Sequence, residues 1–140
     1  MLTEIKHEKS IAIADNKIKV LKPNGPLFFG SVEPLNEVYR KAKEHDVLII
    51  DLDMVSFIDL SGAYAIHDLA LWAERQGRRV VISGGEAKIV KILERVNVID
   101  EKRKREYFAN IEDAISYSQV AELMNIIDHE VETTMILRSS

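Results

Sequence analysis

The chain of 140 residues contains no cysteine, which excludes disulfides and thiolate zinc sites and suits a reducing cytosol. It also lacks long apolar runs. Stretches such as VLII before Asp51 fall far short of the ~20 residues that cross a bilayer. Nothing at the N-terminus resembles a signal peptide. Basic residues are not in excess either. The formal charge of −4 opposes the basic surface that phosphate contacts require, so no nucleic-acid partner is expected. The four histidines, His7, His45, His67 and His129, share no ligand spacing, and no metal site is expected from them. Repeats and low-complexity linkers are absent as well. The remainder is a soluble chain of one-domain length, 1–140, long enough to bury about 70% of its unfolded surface.

Strand-like and helix-like segments alternate along it. IAIA (11–14) and IKVL (18–21) flank Asp15-Asn16-Lys17, and Asp and Asn tolerate turn geometry, so a hairpin is predicted. GPLFFGS (25–31) reads as a short strand or strand end. The run 32–46 places Leu35, Val38, Tyr39 and Ala42 on one helical face. VLIIDLD (47–53) is apolar on both faces, as a central strand requires. A second helix, 61–76, carries the stripe Ala63, Ile66, Leu69, Ala70 and Ala73 and stops at Gly77. RRVVIS (78–83) is a strand, Gly84-Gly85 a turn, and AKIVKILERV a helix with Ile89, Ile92 and Val96 inward. REYFAN ends the strand series before a helix starting near Ile111. This order predicts an α/β fold, a mixed central sheet with helices packed against it.

Three roles compete for Ser61, which follows Asp59-Leu60 and precedes Gly62: nucleophile, phosphate acceptor, or helix cap. A nucleophile elbow wants glycines on both sides of the serine and a histidine base downstream; only His67, on the same helix, and His129 follow. That role is set aside. A cap and a phosphate acceptor both suit a helix N-terminus, where free N–H groups attract negative charge, and Asp59 would repel the phosphate. Asp51 and Asp53 after one strand, with Ser83 after another, resemble the opening motifs of haloacid-dehalogenase phosphatases. Lys88 or Lys91 could serve such a site, but the late acidic pair that would hold magnesium is missing. A strand end solvating a loop is the better account of the two aspartates.

The run VLIIDLDMVSFIDLSGAYAIHDL, followed by a helix, RRVVISG, and a short helix ending in ERVNVID, resembles a STAS domain, shared by sulfate transporters and anti-sigma factor antagonists. The likeness spans roughly residues 8–120, with 120–140 a helical extension. Its most specific part is Phe57-Ile58-Asp59-x-Ser61-Gly62 opening a helix. In the antagonist branch the resemblance implies that Ser61 is phosphorylated by an anti-sigma factor kinase; Leu60 departs from the small or hydroxylated residue usual there. Gly25-Pro26-Leu27-Phe28-Phe29 is similar instead to the carboxy-terminal STAS domains of SulP-type anion transporters. That branch implies a cytoplasmic regulatory domain, not an enzyme, at the inner membrane and partnered by the transmembrane part of a transporter.

In that setting the strand-end loops, 54–61 and 83–88, are the expected ligand sites, for an anion or a nucleotide. Ser61, Gly62 and Asp59 form one candidate set and Ser83, Gly84 and Gly85 another, with no bound cofactor required. Phe28 and Phe29, together with the basic run Lys102, Arg103, Lys104 and Arg105, are candidate partner or membrane contacts. Beyond Ser118 the helical stripe changes face. Ile111, Ala114, Ile115 and Ser118 are expected on the sheet, whereas Val120, Leu123, Met124, Ile127, Val131 and Met135 lie about 200° away. Residues 120–135 are therefore expected to be helical, after a bend near 116–118 or projecting, and to bury Leu123, Ile127 and Val131 on a second subunit or a distant part of the domain.

Overall fold

The computed structural model describes residues 2–4, 17–100 and 105–139. IAIA, the first half of the expected hairpin, lies outside them, as do Lys102, Arg103 and Lys104. The elements are β1 (Leu2–Glu4), β2 (Ile18–Leu21), β3 (Gly25–Leu27), α1 (Phe29–Arg40), β4 (Val47–Asp51), β5 (Val55–Ile58), α2 (Leu60–Arg75), β6 (Arg79–Ser83), α3 (Ala87–Arg95), β7 (Glu106–Phe108) and α4 (Ile111–Ser139).

Five of the described strands form one sheet in the order β1-β2-β4-β6-β7. Among the described strands β1 alone runs antiparallel, against β2 with Leu2 opposite Leu21; the other pairings are parallel. Each parallel pair is joined through helical crossovers, as parallel geometry demands. The sheet is therefore mixed, as the segment order predicts. β4 lies at its centre and is buried throughout, because both of its faces are covered. Leu48, Ile50, Val80 and Ile82 face α1, α2 and α3, where Tyr39, Ile66, Leu69, Ile89 and Leu93 complete the larger core. Val47, Ile49 and Val81 face the opposite way onto Ala114, Ile111 and Ile115 of α4. The period-two alternation of the strands thus assigns three helices to one face and one helix to the other.

A second, two-stranded sheet pairs β3 with β5 in parallel. Residues 55–58 read as loop in the sequence, yet they form this strand, with Leu27 opposite Ile58. The reason is tertiary: β5 is too short to declare itself and depends on the distant β3, which the Gly25 N–H to Met54 carbonyl bond of 2.8 Å joins to the start of β5. Helix α1 also begins earlier than its periodicity indicates. Ser31 Oγ accepts the Phe28 N–H at 3.0 Å, satisfying a donor the new helix leaves free. Tyr39 is buried as expected on this helix, but Val38 is exposed, since the face turned inward is Val32, Leu35 and Tyr39.

Helix α4 runs through 116–118 as one element. Ala114, Ser118 and Glu122 are its buried positions among the described side chains, and Leu123 and Ile127, expected to be buried, are exposed on this chain. The second stripe thus projects; the side chains from Val131 onward lie outside the described residues. No described helix is long and apolar enough to cross a membrane.

Candidate functional site

The turn from β5 into α2 is built on Asp59. Its backbone is extended, and its Oδ1 accepts the Gly62 N–H at 2.7 Å, which makes Asp59 the N-cap of a helix starting at Leu60. Ser61, expected to cap, is instead the second residue of the helix. Its exposed hydroxyl donates to the same Asp59 Oδ1 at 2.9 Å. Asp beats Ser for the cap because a full carboxylate charge meets the positive end of the helix dipole. Gly62 is buried with no room for a side chain: a Cβ there would overlap the Leu27 carbonyl. This close approach fixes the start of α2 against the end of β3.

Around Ser61 lies an apolar surface. Phe28 and Phe29 at the β3–α1 junction, Phe57 on β5, and Leu60 and Tyr64 on α2 are each between 46% and 58% exposed. β3 pairs with β5, and Gly62 abuts Leu27 and Phe28, so these side chains come from three adjoining elements. Phe28 and Phe29 are visible in the sequence as an unusual aromatic pair. Phe57, Leu60 and Tyr64 are not, because their exposure follows from the β3–β5 pairing and from the rotation of α2. One signal was available: Leu60 and Tyr64, four apart, lie off the inward stripe of α2.

The second loop, after β6, is organised differently. Gly84 and Gly85 both have positive φ, 71° and 91°, as a tight turn requires. Asp53 fills the space they leave. Its Oδ1 accepts the Gly85 N–H at 3.2 Å, and a Cβ on Gly84 would overlap its carboxylate. The Gly84 N–H is bonded to the Phe108 carbonyl at 3.0 Å, and the Gly84 carbonyl accepts the Tyr107 hydroxyl at 2.8 Å. The protein's own carboxylate and carbonyl therefore take the amides expected to receive an anion. Ser83, opposite Asp51 in the sheet register, is fully buried, and its Oγ has no hydrogen-bond partner among the described residues.

Asp51 and Asp53 are each engaged within the fold. Asp51 is buried, accepts the Asp53 N–H at 3.1 Å, and pairs with Lys22 Nζ at 3.7 Å. Burial raises its pKa, against the lowering by the Asp53 amide. Asp53 is committed to the β6–α3 turn. Among the described residues no group of three or more His, Asp or Glu could hold a metal ion.

Of the basic run only Arg105 is described, and it is no surface contact. It is buried, with Nε and one terminal nitrogen donating to the two Glu74 oxygens at 2.8 and 2.6 Å. Its other terminal nitrogen donates to the carbonyls of Asn97 and Val98 at 3.0 and 3.1 Å. A planar fork closing the α3–β7 connection onto α2 explains why this position is Arg rather than Lys.

Comparison with known proteins agrees with this architecture. The STAS domain family model matches residues 9–114. No curated protein matches the sequence. Among solved structures, a sulfate transporter family protein from Wolinella succinogenes superposes with a TM-score of 0.66 at 26% identity, over 74% of this chain and 86% of that one. The STAS domain of a SulP transporter from Vibrio cholerae gives 0.61 at 22% identity, over 80% and 85%. The unphosphorylated anti-sigma factor antagonist SpoIIAA gives 0.51 at 18% identity, over 72% and 88%. With a family model covering most of its length and an α/β fold shared with these structures, the chain belongs to the STAS domain family.

Proposed function

We propose that this chain is the regulatory STAS domain of a SulP-type anion transporter, working at the cytoplasmic face of the membrane by docking on protein rather than by catalysis. The observation that carries this reading is the apolar surface of Phe28, Phe29, Phe57, Leu60 and Tyr64 around the start of α2. Exposed apolar side chains grouped in this way lower their free energy by leaving water, at about 25 cal/mol per Å2 covered, so such patches mark contact sites. A domain that cycled between free and bound states in solution would leave this surface wetted for much of its life; a domain tethered to a permanent partner would keep it covered. The 26% identity to the sulfate transporter family protein supports the same branch. The occupied amides of Gly84 and Gly85 weigh against an anion site in that loop, so regulation through a protein contact is favoured over direct anion binding.

Co-purification of the tagged chain with the membrane domain of a SulP transporter from the same genome tests the reading. Phe29→Ser and Phe57→Ser should abolish recovery while leaving the circular dichroism spectrum unchanged. Recovery of both variants at the wild-type level would reject the proposed face.

A second reading, an antagonist switched at Ser61, draws on the exposure of that hydroxyl. Its obstacle is Asp59, whose carboxylate is 2.9 Å from Ser61 Oγ and also caps α2. A phosphate there would repel the cap and loosen the start of the helix. Incubation with the anti-sigma factor kinase and ATP, followed by intact-mass analysis, separates the readings: a phosphorylated Ser61 favours the antagonist.

A further inference from the structure

Glu122 is a buried charged residue that neither the apolar face nor the strand-end loops use. It is 4% exposed and is the last of the described α4 residues to be buried. It lies at the edge where the parallel strands begin, in a cleft of about 190 Å3 lined also by Asp46, Arg79 and Asn125. Asp46, which immediately precedes β4, is fixed by its neighbours: its N–H donates to the Lys17 carbonyl at 2.7 Å, and its carbonyl accepts the Arg79 N–H at 2.8 Å. The Glu122 and Asp46 side chains thus line one cleft, two acidic groups sharing a confined space. A buried carboxyl beside a second acidic group favours its protonated form, because burial and a neighbouring negative charge both oppose ionisation.

The cations nearby do not relieve this. Lys17, ahead of β2, and Arg79, on β6, face Glu122 and favour its charged form, but burial and Asp46 outweigh them. Arg79 is partly engaged elsewhere, donating to the Tyr117 hydroxyl at 2.9 Å. From α4 itself Asp128 adds a further negative charge to the adjoining cleft, which Arg79 also lines. Beyond Glu122 the apolar side chains Leu123, Met124 and Ile127 are exposed. Glu122 is thus the outermost buried position of the helix among the described residues.

We propose that Glu122, set beside Asp46, is a pH-operated latch, which holds the last docked turn of α4 on the sheet while its carboxyl carries a proton and releases it as that carboxyl ionises. The latch sets how far the projecting half of α4 and its apolar stripe are anchored. It is independent of the transporter reading, since it requires only this chain.

Burial and the Asp46 carboxyl push the Glu122 carboxyl up to about 7, from an ordinary value of 4.5. A raised carboxyl pKa in the docked state contributes stability that is complete below the ordinary value and fades as pH rises toward the docked value. The opening equilibrium of the α4 turn should therefore climb about tenfold per pH unit between about pH 5 and pH 7, and level off above that.

Amide hydrogen exchange on the full chain reads this directly, with E122Q as the reference. Glutamine keeps the shape and stays neutral at every pH, and dividing wild-type by variant rates at each pH removes the intrinsic pH dependence of exchange. The ratio for residues 119–126 should climb over that interval and then flatten. A ratio that stays constant overturns the latch. Should E122Q fail to fold, a side-chain carbon titration of Glu122 in the wild-type chain decides: a midpoint near 7 supports the latch, and one in the ordinary carboxylate range overturns it.

Discussion

Asp59 Oδ1 accepts both the Gly62 N–H and the Ser61 hydroxyl, at 2.7 and 2.9 Å, so the serine leans on the cap rather than being the cap. The two residues should therefore respond differently to truncation. Asp59→Ala removes the charged acceptor and should cost about 1 kcal/mol or somewhat more in urea unfolding. Ser61→Ala leaves the cap in place and should stay within about 0.5 kcal/mol, as an exposed change usually does. Equal losses in the two variants would contradict this division of labour.

Gly62→Ala should be the most damaging conservative change at this turn. The added methyl meets the backbone of Leu27 rather than a flexible side chain, so α2 and β3 must separate to admit it. A cost of about 1–3 kcal/mol is expected, as for overpacking in a core. Thermal unfolding of the alanine variant checks it, and loss of the β3–β5 amide protection should accompany the drop.

Arg105 should tolerate no truncation. Arg105→Ala strips Glu74 and two carbonyls of four hydrogen bonds, all from a buried guanidinium, and should cost at least about 2 kcal/mol. Arg105→Lys should recover little of that, because an ammonium cannot make the two parallel bonds to the Glu74 carboxylate. Denaturant midpoints for the pair of variants provide the comparison.

The pH dependence of stability should contain a contribution from His45. Its Nε2 takes a hydrogen bond from the Tyr39 hydroxyl at 2.7 Å and its Nδ1–H donates to the Lys43 carbonyl at 2.7 Å, a neutral ring in a buried site. Burial, chiefly, lowers its pKa below the ordinary 6.5. The unfolded chain then binds more protons than the folded one as pH falls below 6.5, so stability declines toward acid. His45→Gln should lower stability at neutral pH yet flatten that acid slope. Glu122 acts in the opposite sense, so the slope is best read as the difference between each variant and wild type.

Much of the architecture is present in local pattern alone. The two-sided apolar run of β4, the stripe of α2 with Gly77 behind it, and the strand at 79–83 follow from the periods of strand and helix, which depend only on backbone geometry. The motif Phe57-Ile58-Asp59-x-Ser61-Gly62 likewise marks the turn to which the structure attaches its exposed apolar face. What the linear order could not decide were properties shared between distant segments. β5 exists through β3, Arg105 is buried because Glu74 and two carbonyls await it, and the Gly84-Gly85 amides are taken by Asp53 and Phe108. Basic residues in a row read as solvent-facing when charge is all that is known; the partner that lowers the cost of burying one of them lies 31 positions away. Glu122 makes the same point in reverse, as an acidic residue among apolar neighbours whose meaning depends on Asp46, brought to it only by the packing of α4 across the sheet.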